Sequence, residues 1–292
     1  MKYLITGSKG LLGSSFSRII GKNAIDLPRD LLNQEDHFLL QRSIEGSQVD
    51  VVVNCAAHVN ADQAEDDPAP AYHANVEIPR RLASVCQAIG IPLVHLSSTG
   101  CYGAWKSEPY SELDPVRPTT VHHQSKIAGE EQIKNNTSEY LIIRTGWLFG
   151  GDQFHQKNFV WRRILEALQT DVLKSDVSQR GCPTWADDVV HQTCTMLQNK
   201  VRGTFNCVNA GAASRFEYVA KIIDLFHLPC SIVPTGPFTR RAPVSPNETA
   251  INYNLQQIQL DHMPTWTNSL ESYRNEILTW PEWQKLSQSK GI

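Results

Sequence analysis

The fold of this chain is decided near its start, by Tyr3-Leu4-Ile5-Thr6-Gly7-Ser8-Lys9-Gly10-Leu11-Leu12-Gly13. The apolar run predicts a buried strand, and the glycines after it predict a tight turn into a helix. Small residues there let the backbone approach a pyrophosphate, and the helix start offers free N–H groups and a favourable dipole. The segment therefore predicts a dinucleotide site, although a plain turn uses glycine in the same way. The residues expected to contact the dinucleotide are Gly7, Gly10, Leu11, Leu12 and Gly13.

Further along the chain, short apolar runs alternate with longer helical patterns. Residues 51–53, 93–96 and 140–143 are apolar runs with the length of buried strands. Between them, apolar residues recur at helical spacing, as in the stretch 78–89. Continuous apolar strands separated by amphipathic helices predict an α/β fold with a doubly wound parallel sheet of the Rossmann type.

The character of the sequence changes after Gly150. A polar loop opens there, and residues 229–246 are rich in proline and polar side chains. We expect residues 1–150 to form the dinucleotide-binding domain, with a later return of the chain near 185–210. Residues 151–184 and 211–292 are expected to form a smaller substrate-binding lobe over the carboxyl edge of the sheet, where ligands of such sheets bind.

Composition excludes several classes of partner. A formal net charge of -3 gives no electrostatic argument for nucleic acid or an anionic membrane. No apolar run approaches the length of a membrane span, and the first residues are too soon interrupted by glycine for a signal peptide. The seven cysteines are scattered without C-x-x-C spacing, which predicts no metal site and suits the cytoplasm. A homodimer is compatible with the sequence.

Two further segments are candidates for cofactor contact. Asn54, Ala56 and Ala57 follow the second apolar run, and small residues there let a cofactor lie along the backbone, although a tightly packed turn has the same composition. Asp26, Arg29 and Asp30 lie near the end of the second expected strand, the one that follows the first helix. A carboxylate favours the ribose hydroxyls of NAD and a cation favours the 2′-phosphate of NADP. These residues give opposite answers, and each also fits a solvated loop charge.

The G-x-x-G-x-x-G spacing resembles the short-chain dehydrogenase/reductase superfamily, which implies NAD or NADP. Four segments in register narrow the resemblance: residues 56–65, 144–150, 178–185 and 241–245 are similar to A-A-Y-T-x-V-D-x-A-E, R-T-x-W-x-Y-G, D-Q-x-G-x-P-T and R-P-x-x-S. Over about residues 1–255 the chain resembles the dTDP-4-dehydrorhamnose reductase family. The resemblance implies an NAD(P)-dependent reductase of a nucleotide-linked 4-keto-6-deoxy sugar, in dTDP-rhamnose biosynthesis.

The same resemblance implies roles for individual residues. Ser98 would orient the ketone oxygen, and Lys126 would hold the nicotinamide ribose. The family tyrosine, whose pKa such a lysine lowers, is replaced here by His122. Ser98, Trp147, Asn158 and Arg241 are the candidates for substrate contact. By themselves, a serine after a strand is more often a cap and a helix lysine is more often exposed.

His122 puts catalysis in question. Imidazole is shorter than phenol by roughly 2 Å, and a reference pKa near 6.5 would be lowered by Lys126. Neutral imidazole is a poor proton donor, so we expect slow reduction that improves at lower pH. Neighbouring His123 is expected to point elsewhere, and Tyr102 and Tyr110 are weaker replacements for the tyrosine.

The lost tyrosine also supports an alternative, a catalytically weakened cofactor-binding or regulatory protein of the same fold. The regulatory subunit of methionine adenosyltransferase, a relative of these reductases, is such a protein. An epimerase or dehydratase fits less well, because the motifs are those of the reductases.

Overall fold

The computed structural model describes residues 1–34 and 36–291. Its strands are β1 (Tyr3–Thr6), β2 (Ala24–Asp26), β3 (Val51–Asn54), β4 (Leu93–Ser98), β5 (Tyr140–Thr145), β6 (Trp147–Phe149), β7 (Val172–Asp176), β8 (Arg180–Gly181), β9 (Pro183–Trp185), β10 (Gly203–Cys207), β11 (Ala213–Ser214) and β12 (Ser231–Thr235).

The α-helices connect and cover these strands. They are α1 (Leu11–Ile20), α2 (Arg29–Asn33), α3 (His37–Gly46), α4 (Ala61–Asp66), α5 (Pro68–Tyr72), α6 (Ile78–Ile89), α7 (Val121–Asn136), α8 (Phe159–Ala167), α9 (Ala186–Gln198), α10 (Arg215–Leu225), α11 (Tyr253–Gln257), α12 (Trp266–Leu278) and α13 (Pro281–Lys290). A π-helical turn, His73–Glu77, joins α5 to α6. Within the described residues, no helix has the length and apolar character needed to cross a membrane.

The central sheet has six strands in the order β10-β5-β4-β3-β1-β2, and every neighbouring pair is parallel. After β2 the chain crosses to the other side of β1 and forms β3 there. The strand order therefore reverses at β1, and a crevice opens between the carboxyl ends of β1 and β3. The predicted doubly wound parallel sheet is confirmed.

Both faces of the sheet are buried, which explains its unbroken apolar strands. Ile5 and Val53 belong to a core cluster on one face, together with Phe16 of α1. Their neighbours Leu4 and Val52 belong to the cluster on the other face. Alternate residues of a strand point to opposite faces, so burial on both sides favours apolar residues at most positions of each strand.

The late part of the chain contributes to two different cores. In the region 185–210, β10 joins the sheet and α9 packs against α1. Leu255 and Met263, which belong to the expected lobe, also lie in the sheet's core cluster. A separate cluster, built mainly on α8, α10 and α12, forms the lobe. The division into two domains stays a prediction.

A buried ion pair fixes α7 against the sheet. The Arg144 guanidinium of β5 donates from Nε and from a terminal nitrogen to the two carboxylate oxygens of Glu130, at 3.0 and 2.6 Å. Ser97 donates to the same carboxylate at 2.6 Å. At the adjoining residue a Cβ on Gly129 would lie less than 3.0 Å from the Asn75 carbonyl oxygen. Helix α7 is therefore held closely on two sides.

Removal of this carboxylate should destabilise the protein strongly. In Glu130→Ala the buried Arg144 charge loses its partner, so we expect the free energy of unfolding to fall by about 3–5 kcal/mol. Urea denaturation measures the change. The matched control is Glu131→Ala, which removes an exposed carboxylate paired with Lys134 and should cost less than about 1 kcal/mol. Equal losses in the two variants would contradict a structural role for the buried pair.

Candidate functional site

A cavity of about 590 Å³ opens at the carboxyl edge of the sheet, where the strand order reverses. This volume is in the range of small-molecule and cofactor sites. The residues that line it are Lys9, Gly10, Leu11, Leu12, Gly13, Cys55, Ala57, Val59, Leu96, Ser97, Ser98, His122, Lys126, Thr145, Gly146, Leu148, Phe154, His155, Gln156 and Lys157. The glycine turn and the residues predicted for chemistry thus share one cavity.

The glycine turn is packed so tightly that side chains are excluded. Gly7 has a φ of 65°, and a Cβ there would lie 2.7 Å from the Ala56 nitrogen. A Cβ on Gly13 would lie less than 3.0 Å from the Gly7 carbonyl oxygen. Gly10 precedes α1 and offers no side-chain cap. The first N–H groups of α1 therefore stay available at the cavity wall, an arrangement that fits the pyrophosphate of a dinucleotide.

Asn54 supports this wall from behind. Thr6 Oγ1 donates to Asn54 Oδ1 at 2.6 Å and accepts from the Ala56 N–H at 3.2 Å. The Asn54 amide lies 3.0 Å from His95 Nδ1. Since Asn54 is fully buried, it shapes the turn that carries Ala57, which does line the cavity.

The residues expected to choose between NAD and NADP lie outside the cavity wall. Asp26 ends β2, and Arg29 and Asp30 form the first turn of α2. All three are exposed. A carboxylate and a cation are therefore both exposed to solvent at this edge of the sheet, where Asp26 accepts from Ser17 Oγ at 3.5 Å.

Lys126 is held in a fixed position at the cavity. It is buried, and its ammonium donates to the Leu96 carbonyl oxygen at 2.7 Å. Burial lowers its pKa to about 8. The lysine is thus not the exposed helix residue that its sequence position alone would favour.

His122 lines the cavity as an uncharged imidazole. Burial lowers its pKa to about 3, and the neighbouring charges of His123 and Lys126 act in the same direction. The His58 backbone offsets part of this shift. Its buried Nδ1 has no hydrogen-bond partner. The expectation that Lys126 keeps this imidazole neutral stays a prediction, and burial is the larger cause of the lowered pKa.

From the sequence we expected the His123 ring to point away from the predicted catalytic residues, but it contacts Ser98. Its Nε2 lies 3.4 Å from Ser98 Oγ, and its Nδ1 lies 3.0 Å from Thr120 Oγ1. The two histidine rings are tilted at 58° with centroids 4.9 Å apart. The expectation was wrong because β4 and the turn after it wrap over the start of α7, so two adjacent helix positions both face this region.

A cluster that the sequence did not reveal lies behind Ser98. A Cβ on Gly100 would lie less than 3.0 Å from the His123 ring and 3.0 Å from Glu248 Oε1. The other oxygen of Glu248 accepts from Trp147 Nε1 at 2.6 Å. The Arg215 guanidinium stacks over the Trp147 ring, 3.4 Å from its centroid. The Arg215 guanidinium therefore covers one face of the Trp147 ring, the aromatic surface that we expected to contact a sugar.

Two residues expected to contact substrate, Asn158 and Arg241, have structural partners within the protein. Asn158 caps α8 and is fully buried, where its amide donates to Tyr273 Oη at 2.6 Å and to the Asp152 carbonyl oxygen at 3.0 Å. Arg241 is paired with Asp66 of α4 and lies outside the cavity wall. A polar residue before a helix has the same sequence signature whether it caps or binds ligand.

Neither tyrosine is placed to replace the family phenol. Tyr102 is fully buried, and its hydroxyl donates to Asn206 Oδ1 at 2.8 Å. Tyr110 is also fully buried and stacks on Tyr102 with ring centroids 5.0 Å apart. Both lie outside the residues that line the cavity.

A second cavity of about 260 Å³ lies in the lobe. It is formed between residues 176–179 and the loop 237–246, and Arg240 contributes to its wall. Arg215 reaches the same region, since its Nε donates to Gln179 Oε1 at 3.3 Å. In the described part of the chain, no carboxylate lies within ion-pair distance of Arg215. The composition of the loop gave no sign of this cavity.

Comparison with known proteins agrees with this geometry. Residues 1–279 match the family described as the RmlD substrate binding domain. The dTDP-4-dehydrorhamnose reductase of Burkholderia thailandensis is 32% identical over 212 residues, 70% of each chain. The solved dTDP-4-dehydrorhamnose reductase of Clostridium acetobutylicum superposes with a TM-score of 0.88 at 29% identity, over 96% of this chain and 100% of that one. That of Bacillus anthracis, solved with NADP, gives 0.87 at 26% identity, over 94% and 100%.

Acid should destabilise the folded protein through His122. Below about pH 6.5 the unfolded chain binds a proton at this imidazole, whereas the folded chain does so only near pH 3. The stability that neutral His122 contributes is therefore complete above pH 6.5 and is lost as the pH falls toward about 3. In His122→Asn, the fall in unfolding free energy between about pH 7.5 and pH 5 should shrink by about 2 kcal/mol.

Urea denaturation at both pH values measures this difference. The control is His227→Asn, because His227 is exposed and its φ of 51° suits asparagine. Its pH dependence should match that of the wild type. A wild-type pH dependence in His122→Asn would show that this imidazole is not held neutral by the fold.

Proposed function

The chain belongs to the family of dTDP-4-dehydrorhamnose reductases, which the RmlD substrate binding domain defines, and we propose that it reduces a dTDP-linked 4-keto-6-deoxy sugar with NAD(P)H. One observation carries the proposal: a single cavity contains the glycine turn, Ser98 and Lys126. A dinucleotide held by the turn and a ketone held by Ser98 would therefore be neighbours.

The cavity fits a nicotinamide dinucleotide. The start of α1 would hold the pyrophosphate, and the buried ammonium of Lys126 would hold the nicotinamide ribose. When bound there, NADPH or NADH supplies the hydride for the ketone carbon. Exposed Arg29 supports NADP, the cofactor of the Bacillus anthracis relative, whereas exposed Asp26 supports NAD.

The ketone would lie between Ser98 and His122, which both line the cavity. The Ser98 hydroxyl would donate a hydrogen bond to the ketone oxygen and so orient it. His122 would contact the sugar as a neutral imidazole. In this arrangement Trp147 acts mainly by holding Arg215, whose guanidinium stacks on its ring.

The diphosphate of the nucleotide sugar would lie near Arg215 and Arg240. Burial lowers the pKa of Arg215 to about 10, so its charge persists at neutral pH. A half-buried guanidinium with no carboxylate at ion-pair distance in the described residues is suited to bind a phosphate group. We propose that these arginines bind the diphosphate of the substrate, a role for which the sequence suggested Asn158 and Arg241.

All seven cysteines are unpaired, which supports a cytoplasmic location for the protein. A homodimer stays a prediction.

Turnover is tested with purified protein, NADPH or NADH, and dTDP-, UDP- and GDP-linked 4-keto-6-deoxy sugars, from about pH 5 to about pH 8. We expect oxidation of the cofactor with the dTDP sugar, measured by loss of nicotinamide absorbance and by detection of the reduced sugar. The rate should increase at lower pH. Tight NADPH binding without turnover of any ketosugar would instead identify a cofactor-holding protein of the same fold.

The glycine turn provides the matched variants for this assay. Gly13→Ala places a Cβ less than 3.0 Å from the Gly7 carbonyl oxygen, so NADPH affinity should fall at least about tenfold. Gly46→Ala adds a methyl group where no heavy atom lies within 4 Å, so it should bind as the wild type does. Calorimetric titration with NADPH measures both, independently of turnover.

Arg215→Gln should weaken substrate binding more than it slows the chemical step. Loss of a charged hydrogen bond to phosphate should raise the KM for the nucleotide sugar at least about tenfold, with kcat changed less than about threefold. Arg202→Gln is the control, because Arg202 pairs with Glu139 on the surface at 2.9 Å. An unchanged KM in Arg215→Gln would place the diphosphate elsewhere.

A further inference from the structure

Behind the cavity, the imidazole of His123 contacts the one hydroxyl assigned to the ketone, that of Ser98, at 3.4 Å. The reductase site as built from Ser98, His122 and Lys126 gives this contact no role. We propose that His123, rather than His122, supplies the proton for ketone reduction, and that it does so through the hydroxyl of Ser98. The proposal rests on the reductase function proposed above.

The hydrogen bonds around His123 favour this direction of transfer. Thr120 Oγ1 accepts from the His123 N–H at 3.1 Å, so its own proton is available to His123 Nδ1 at 3.0 Å. Thr120 is fully buried. When a neutral imidazole accepts from Thr120 at Nδ1, its ring proton is on Nε2; in the imidazolium both ring nitrogens carry protons, and Nδ1–H donates to Thr120 Oγ1. In both of these forms Nε2, the nitrogen that faces Ser98, carries a proton.

Ser98 Oγ is correspondingly surrounded by donors. It accepts from the Gly100 N–H at 3.1 Å and faces His123 Nε2 on another side. With both positions taken by donors, the Ser98 proton is left to point into the cavity that Ser98 lines. A ketone oxygen there would receive it.

Of the two imidazoles, His123 is the better holder of a proton. Burial lowers the pKa of both histidines, and Lys126 on the same helix lowers both further. Each imidazole also faces the other. The carboxylate of Glu248, in the loop before α11, raises the pKa of His123 and offsets part of the effect of burial.

The space for this imidazole exists because residue 100 has no side chain. A Cβ on Gly100 would lie less than 3.0 Å from both Cε1 and Nε2 of His123. Gly100 thus supplies both a hydrogen bond to Ser98 and the room for the ring that contacts Ser98.

Bound NADPH or NADH would supply a hydride to the ketone carbon, and the π electron pair of the carbonyl would move to oxygen. That oxygen takes the Ser98 hydroxyl proton, and Ser98 takes the Nε2 proton of the His123 imidazolium. The products are an alcohol, oxidised cofactor and a neutral imidazole, which regains its proton from solvent. Since His123 does not line the cavity, it is a positioning residue that acts through Ser98.

The test compares His123→Gln with His122→Gln in the ketosugar assay with NADPH. Removal of the proton source should lower kcat at least about 100-fold in His123→Gln and abolish the increase of kcat on the acid side of the pH profile. His122→Gln should lower kcat less than about tenfold and keep that increase. NADPH affinity, within about threefold of wild type, shows that each variant retains the cofactor site.

Gly100→Ala tests the same contact with His123 intact. The added methyl group forces the ring away from Ser98, so kcat and the pH profile should change as in His123→Gln, whereas Gly46→Ala should leave both unchanged. Thr120→Ser keeps the cap and the hydroxyl and should retain the wild-type profile. These variants keep the test decisive if His123→Gln does not fold.

Each outcome decides between the proposals. If the wild type turns over no ketosugar, the proposed function is wrong and the relay fails with it. If the wild type turns over but His123→Gln and Gly100→Ala keep its kcat and pH profile, only the relay is overturned. A larger loss in His122→Gln than in His123→Gln would return the role to His122.

Discussion

The bidentate ion pair between Arg144 and Glu130 is the constraint on which the site depends. Helix α7 carries His122, His123 and Lys126, and these side chains must reach a cavity formed by other elements. The pair fixes the middle of the helix to β5, and Ser97 of β4 donates to the same carboxylate. The Thr120 cap fixes the helix start. Held at two points, α7 has a fixed rotation, so its first two turns present both histidines and the lysine to the carboxyl end of β4.

The parts of the fold that follow from local pattern could be read from the sequence. Apolar runs with strand length predicted the parallel sheet, because burial on both faces favours apolar residues at most positions of a strand. The glycine spacing predicted the turn at Gly7, because only glycine fits where backbone segments approach this closely. Lys126 and Ser98 could be assigned through the resemblance, since their order along the chain follows the family pattern.

What the sequence could not provide are contacts between distant segments. Glu248 follows Ser98 by 150 positions, and no periodicity connects the two. The cap formed by Asn158 and the ion pair of Arg241 could not be recognised from the sequence, because a cap, an ion pair and a ligand contact use the same polar residues. The position of His123 depended on how β4 and its following turn cover α7. The doublet His122-His123 is the one signal in the sequence that pointed to it.

The close approach of residue 100 to residue 123 has a consequence for how this protein can change over generations. The volume at the two positions is shared, since the histidine ring occupies the space that any side chain on Gly100 would need. A larger residue at one position is compatible only with a smaller one at the other, so single substitutions produce either overlap or a void. The two positions are therefore expected to co-vary, and lineages that differ at one should differ at both.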